Sequence, residues 1–376
     1  MQQGSLWSDD DAPTLTEDEA LVALSLVPNV GAWRLRTLIG RFGSAARTLA
    51  APYAALRAVP GIGDTTAQAL ASFNDWEQVR HQFETAQKEG AQLVLPGSPA
   101  YPALLREIYD PPVYLWAKGN ADALLGPAVA IVGTRRATEY GKRAAHDFAA
   151  ALAEAGIVVV SGLAYGIDLA AHEGALSVGG KTVAVLGSGV NVIYPARHGR
   201  VAERITENGA VVSEFAMDAA PDAPHFPRRN RIVSGMSLGT LVVEAFPSGG
   251  ALITARLAIE QNREVFALPS PIYSAPGGGT NALIRDSQAQ LVTSPHEIIE
   301  ALGLNVDGGT ETRPEPDVEL NPQEKRLFDA LAAGPVHIDR LCIDLDLDPS
   351  TALVTLLGLE FKGLVRQLAG KQFFRT

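Results

Sequence analysis

Several arginine-bearing segments carry the residue types suited to holding phosphate. The first reads Val129-Ala-Ile-Val-Gly-Thr-Arg-Arg-Ala-Thr-Glu-Tyr-Gly-Lys-Arg143. An apolar run ends at Gly133 and a helical pattern opens near Tyr140, so Gly133, Thr134, Arg135 and Arg136 fall at the carboxyl end of a strand. Open α/β sheets bind ligands there, beside a helix N-terminus that favours anions. Gly133 lets backbone approach closely, Thr134 offers a hydroxyl, and the arginines supply forked donors for phosphate oxygens. The spacing matches neither the dinucleotide fingerprint, which needs G-x-G-x-x-G, nor the nucleoside-triphosphate loop, which needs G-K-[ST].

Other strand-end segments repeat the pattern. Ser161-Gly-Leu-Ala-Tyr-Gly-Ile-Asp168 places Ser161 and Gly162 after one apolar run, and Leu186-Gly-Ser-Gly-Val-Asn-Val-Ile-Tyr-Pro195 places Gly187 and Gly189 after the next. Tyr194 is suited to stacking on a base, with Arg197 toward phosphate. Pro224-His-Phe-Pro-Arg-Arg-Asn-Arg231 sets Arg228, Arg229, Asn230 and Arg231 beside Phe226, a set expected on a loop that contacts backbone and bases of a single strand. The alternative is a salt-bridged loop buttressing Glu244 and Asp168. Glu244-Ala-Phe-Pro-Ser-Gly-Gly-Ala-Leu-Ile-Thr-Ala-Arg256 brings Ser248, Gly249 and Thr254 to a helix entrance, and Gly277-Gly-Gly-Thr-Asn281 closes the series at Asn281. Asp168 reads as a loop-ordering or helix-capping carboxylate rather than a general base. His172 reads as a packed helix residue.

These segments need a scaffold, and the hydrophobic pattern supplies one. Continuous apolar runs at 128–132, 157–160, 182–186, 210–212, 239–243 and 264–268 alternate with helical patterns such as 140–155. Uninterrupted rather than alternating hydrophobicity marks strands buried on both faces. Alternation with helices predicts an extended Rossmann-like α/β core with a doubly wound parallel sheet over residues 91–304. Before it, residues 17–90 read as a helical domain with two similar turns, Leu26-Val-Pro-Asn-Val-Gly31 and Ala58-Val-Pro-Gly-Ile-Gly63. This repeat resembles the helix-hairpin-helix family, whose hairpin amides hold a DNA phosphate. The second copy is the better match, because Asn29 replaces a glycine in the first. Residues 305–320 are rich in Gly, Pro and acids and read as a linker. Residues 321–376 show three helical patterns and a two-stranded ending around Gly370, a winged-helix arrangement. Its third helix, from Pro349, carries no Lys or Arg between Ser350 and Glu360, whereas a groove-reading helix needs them, so a protein contact is expected there.

The net charge of −11 argues at first against a polyanion partner. Its distribution reverses that reading. Residues 1–20 hold six acids and no base, and residues 306–320 hold five acids against Arg313, so these two segments carry −6 and −4 of it. The remainder is close to neutral, with basic clusters at 135–143 and 228–231. The single cysteine, Cys342, excludes an internal disulfide framework and a four-thiolate metal site, and fits a reducing cytoplasmic setting. The N-terminus shows no basic region followed by an apolar one, and about 18 uncharged apolar residues never run together, so neither secretion nor a membrane span is expected.

The ordered set GTRRATEYG, SGLAYGIDLAAHEGAL, VLGSGVNVIYP, SEF, FPRRNRIVSG, VVEAFPSGGALITARLA and GTNALIR, over about residues 95–300, resembles the DNA-processing protein A (DprA/Smf) family. The flanking modules are similar to that family's sterile-alpha-motif-like N-terminal domain and winged-helix tail. The resemblance implies sequence-independent binding of single-stranded DNA, loading of the recombinase RecA onto it, and a role in natural transformation and recombination. It also implies a cytoplasmic homodimer without enzymatic activity, cofactor or metal, with single-strand-binding protein as a further partner. The chain departs from the family pattern at Pro269-Ser270-Pro271, at Ser287-Gln288-Ala289 and at Ala196, which stands where a basic residue follows Tyr-Pro.

A rival of another class is a Rossmann-like nucleotide phosphoribohydrolase, which shares a glycine-rich strand-end pocket. Such enzymes place an acid after Gly-Gly-x-Gly-Thr. Here Gly277-Gly-Gly-Thr is followed by Asn281, and Glu244 lacks the preceding glycines. A dinucleotide-dependent oxidoreductase is opposed by the missing fingerprint.

Overall fold

The structure, a computed structural model, describes residues 15–304, 320–332, 334–368 and 370–375. The chain divides into two compact units, one ending at Glu89 and one beginning at Gly90. The acidic tail expected at 1–16 and the linker expected at 305–320 fall almost wholly outside the described residues.

The first unit is helical, with helices at Glu17–Leu26, Ala32–Phe42, Ala45–Leu49, Tyr53–Arg57, Asp64–Ala71 and Trp76–Glu89. Thr16 starts the first through a capping box: its hydroxyl accepts from the Glu19 N–H at 3.2 Å, while the Glu19 carboxylate accepts from the Thr16 N–H at 2.9 Å. The two predicted turns are tied together. Arg34 donates to the carbonyl of Asn29 in one and, at 3.1 Å, to that of Gly61 in the other. Gly61 has φ +80°, and a Cβ there would lie 2.6 Å from the Trp33 ring, so both its conformation and its packing demand glycine.

The second unit is built on a nine-stranded sheet. Its strands are β1 (Ala91–Val94), β2 (Leu115–Gly119), β3 (Ala128–Val132), β4 (Val158–Ser161), β5 (Thr182–Val185), β6 (Ala210–Ser213), β7 (Gly239–Val242), β8 (Glu264–Ala267) and β9 (Gln290–Leu291). They lie in the order β1-β2-β6-β5-β4-β3-β7-β8-β9. From β3 to β6 the chain winds to one side; at β7 it returns to pair on the other side of β3. All pairs from β6 to β9 are parallel, while β1 and β2 add an antiparallel edge. The Rossmann-like class is as the runs predict, and the edge explains why 91–120 reads as extended but not as part of the alternation.

Both faces of the sheet are covered. Along β3, Ala128, Ala130 and Val132 pack in one cluster with Ile232, Val233, Ala251, Ala255 and Ala258, whereas Val129 and Ile131 pack in the other with Ala145, Phe148, Ala149, Ile167 and Ala171. Alternate residues thus face opposite helical layers, which is why the strand reads as continuously apolar. Burying an aliphatic side chain is worth about 1.5–3 kcal/mol, so these layers hold the strand ends rigidly. Among the described residues no helix is long and apolar enough to cross a membrane.

The winged helix expected at 321–376 consists of helices Pro322–Ala330, Ile338–Leu345 and Pro349–Phe361 with a three-stranded sheet that includes Val365–Leu368 and Gln372–Arg375. Asp348 caps the third helix, accepting from the Thr351 N–H at 2.9 Å, with Pro349 in the first turn. The wing touches the core. A Cβ on Gly303 would lie 2.2 Å from the Phe374 ring, and one on Gly370 would lie 2.5 Å from the Arg263 guanidinium.

Candidate nucleic-acid interface

Reversal of strand order beside β3 leaves a crevice between the carboxyl ends of β3 and β7, the place where such sheets take ligands. A cleft of about 480 Å³ occupies it, walled by Gly133–Arg136, by Phe226, Pro227 and Asn230, and by Ala245, Phe246 and Ser248–Ala251, with Thr254 behind. Gly162, Asp168 and Arg229 complete the lining. Sequence-predicted residues from four separate segments are therefore brought together.

Four exposed arginines each lie over an aromatic ring. Arg135 stands 4.9 Å from the Phe226 centroid, Arg136 5.4 Å from Phe246, Arg197 4.0 Å from Tyr165 and Arg228 5.2 Å from Phe215. Phe226 continues to Tyr194, with ring centroids 6.0 Å apart and Tyr194 43% exposed. A guanidinium seated on a ring keeps its N–H edges outward for phosphate oxygens and has already lost part of its rotamer freedom. Three of the supporting rings, Tyr165, Phe215 and Phe246, went unnoticed in the sequence. Each lies in a strand-end segment near an acid or glycine, a signal too common to single them out.

The first-turn anion site expected beside Arg135 is already filled by the protein. Helix Glu139–Glu154 is capped by Thr138, whose hydroxyl accepts from the Gly141 N–H at 3.1 Å. Buried Glu244 accepts from the Thr138 N–H at 2.9 Å and from its hydroxyl at 2.6 Å. A Cβ on Gly141 would lie 2.3 Å from the Glu244 carboxylate, so that carboxylate sits against the helix start. Phosphate attraction on this side must come from the side chains of Arg135 and Arg136. Across the cleft, helix Gly250–Glu260 begins at Gly249 without a side-chain cap, leaving its first amides facing the opening beside exposed Ser248.

Several predicted contacts prove to be scaffold. Gly133 is required because a Cβ would lie 2.4 Å from Ile167 and 2.9 Å from the Glu244 carbonyl. The segment 225–235 is a helix, not the expected loop, so its arginines point in different directions. Arg231 is buried, paired with Glu214 at 2.6 Å and Asp110 at 3.3 Å, which replaces the expected role toward phosphate. Arg229 is buried as well and donates to the Val185 carbonyl. Burial pulls it down to about 10, against the opposing pull of Asp168. Gly162 leaves room for that guanidinium, because a Cβ would meet its Nη1 at 1.8 Å. Arg229 therefore braces the cleft floor. Ser161 donates to the Ile131 carbonyl at 2.7 Å, and Asn281 exchanges two bonds with the Ser270 backbone at 2.8 and 3.0 Å. Gly187 supports Phe226, and Gly189 fits against the 216–219 backbone. Tyr140 is exposed on the helix but does not line the cleft.

Asp168 and His172 stand beneath the floor. Burial raises the Asp168 carboxyl, while Arg229 and a long bond from the Ala164 N–H at 3.4 Å oppose the rise. His172 is pushed down to about 3 by burial and by Arg229, so its imidazole is neutral. Thr182 gives its hydroxyl proton to the Val159 carbonyl at 2.7 Å, so the 2.7 Å contact to His172 Nδ1 requires Nδ1 to donate. Asp168 orders the loop through Ala164, and His172 is a packed helix residue held to strand residue Thr182, each in the role the sequence suggested.

The hairpins of the helical unit are less open than their sequence implies. Asp64 stands in the first turn after the second hairpin, bound by Arg57 and, at 3.1 Å, by the Tyr53 hydroxyl. Its carboxylate places a negative charge beside the hairpin and engages Arg57, a cation that would otherwise be available to phosphate.

The family model for DNA recombination-mediator protein A matches residues 92–303, and that for the DprA winged helix domain matches residues 311–371. Protein Smf of Synechocystis is 32% identical over 96% of this chain and 99% of its own length. Protein Smf of Escherichia coli is 48% identical over 56% of each. The crystal structure of DNA processing protein A from Streptococcus pneumoniae superposes with a TM-score of 0.60 at 34% identity, covering 76% of this chain and 93% of that one. DNA processing protein A from Helicobacter pylori, in a structure concerned with its single-stranded-DNA binding mode, gives a TM-score of 0.50 at 35% identity over 54% and 92%.

Proposed function

The chain belongs to the DNA recombination-mediator protein A family, and from that premise we propose that it binds single-stranded DNA without base preference and presents it to the recombinase RecA during DNA uptake and recombination. The observation that carries the reading is the set of four exposed arginines seated on aromatics, of which Arg135 and Arg136 line the switch-point cleft. Guanidiniums take phosphate; Tyr194 and the outer faces of the stacked pairs take bases, and every base has a π-face. None of these groups is held in the pattern that reads one base edge against another. The Helicobacter pylori relative's single-stranded-DNA mode supports the same ligand.

In this reading the protein works as a cytoplasmic homodimer, so two linked sites raise avidity without new contacts per site. Single-strand-binding protein is the competitor it displaces or recruits. The chain acts without a cofactor and without catalysing a reaction. Glu244, the acid a phosphoribohydrolase would need free, is spent on Thr138.

The test compares labelled oligothymidine with duplex of equal length by gel shift, followed by incubation with nucleoside monophosphates. Strong preference for the single strand with no free base released supports the reading. Equal competition by duplex, or base release, overturns it.

A further inference from the structure

We propose that the exposed face of the winged helix's third helix docks a basic amphipathic helix from a partner protein. The helix Pro349–Phe361 buries only Ala352, Leu356 and Leu359 against its own module. Leu353 and Val354, then Leu357 and Phe361 on the two following turns, lie along the opposite side, with Val354 70% and Phe361 84% exposed. Four large apolar groups on one stripe have the spacing by which a groove or face reads an incoming helix.

Charge decides the occupant. No lysine or arginine lies between Pro349 and Phe361, and exposed Asp346 and Asp348 mark the N-terminal end of the stripe. Arg340, the cation on the preceding helix, is already paired with Asp344 at 2.7 Å. At the other end Lys362 is paired with Glu324 at 2.7 Å. The face therefore repels phosphate and invites a segment that brings its own lysines or arginines beside leucine-like side chains. The chain's own remaining segments do not qualify. Residues 1–14 carry three acids and no base, and residues 305–319 carry five acids against Arg313. The inference is independent of the DNA reading, since it concerns neither the cleft nor its arginines.

The probe is a labelled helical peptide of about 18 residues with leucine on one face and lysine on the other, titrated by anisotropy against the full chain. Two control peptides keep the pattern, one with glutamate for lysine and one with serine for leucine. The leucine–lysine peptide is expected to bind. Val354→Ser with Leu357→Ser is expected to weaken it about tenfold without changing the melting temperature, because both side chains already face water. Phe361→Ser, a change at a still more exposed position, is expected to act in the same direction.

Unchanged affinity in both variants overturns the proposal, as does equal binding of the glutamate or serine peptides. Displacement of the peptide by oligothymidine makes nucleic acid the occupant and also overturns it. So does a concentration-dependent assembly of the wild type that the Val354→Ser, Leu357→Ser chain loses, since a second copy would then cover the face.

Discussion

Glu244 lies directly under Thr138, taking both its N–H at 2.9 Å and its hydroxyl at 2.6 Å from a fully buried position between β7 and the helix that Thr138 caps. The pair locks the two lips of the switch-point crevice to each other. Hydrogen bonds to a charged group contribute about 1.5–3 kcal/mol each, and Glu244→Ala leaves the Thr138 donors facing a void. We expect a loss of about 3 kcal/mol in urea unfolding, with Glu244→Gln losing about half as much because its carbonyl keeps one acceptor. Wild-type midpoints for both variants would show that the lips are held otherwise.

Arg135 and Arg231 provide a contrasting pair. Arg135→Ala removes an exposed guanidinium, so single-stranded DNA binding weakens and the dependence of log K on log salt becomes shallower by about 0.7, with unfolding unchanged. Arg231→Ala removes the close partner of buried Glu214, leaving it Arg228 at 3.9 Å, and breaking a buried pair costs about 3–5 kcal/mol. Its salt slope stays as in the wild type. Should Arg231→Ala flatten the slope while Arg135→Ala does not, the assignments would have to be exchanged.

Acid stability follows from His172. Its folded value of about 3 lies below the unfolded 6.5, so the unfolded chain binds the extra proton first as pH falls. The full contribution is present above 6.5 and is lost between 6.5 and about 3, at up to about 1.4 kcal/mol per pH unit. Asp168 acts with the opposite sign: burial raises it, so its proton is held more tightly in the folded state and offsets part of the loss at the acid end. Replacing His172 with Gln should lower stability at pH 7 yet flatten the slope from pH 6.5 to 4. A slope identical to the wild type would refute the neutral buried imidazole.

Deleting residues 306–376 should leave DNA binding within about threefold of the full chain, since the module's seven acids and seven bases offer phosphate little net attraction. Binding lost at an unchanged sedimentation pattern would place DNA on the winged helix after all.

Much of this was legible beforehand because strands buried on both faces announce themselves as unbroken apolar runs, and β3 to β8 are such strands. The strand-end position of Arg135 and Arg136 followed from that alone. Arg229 and Arg231 were harder: within a run of basic residues, composition cannot tell a side chain aimed at water from one turned inward. Only the helix 225–235, which points neighbours about 100° apart, separates them. Glu244 escaped for a related reason. It reaches Thr138 across 106 positions of sequence, and no local spacing encodes that contact. Asp64 shows the reverse, since a hairpin motif can be intact in sequence while a neighbouring carboxylate engages the nearby Arg57.

Phe374 against Gly303 means that Leu304 and Leu320 both belong to one compact body. The covalent connection is then redundant with the packing. A chain nicked between Leu304 and Leu320 is then expected to stay together as two complementing fragments, held by Phe374 against Gly303 and by Gly370 against Arg263.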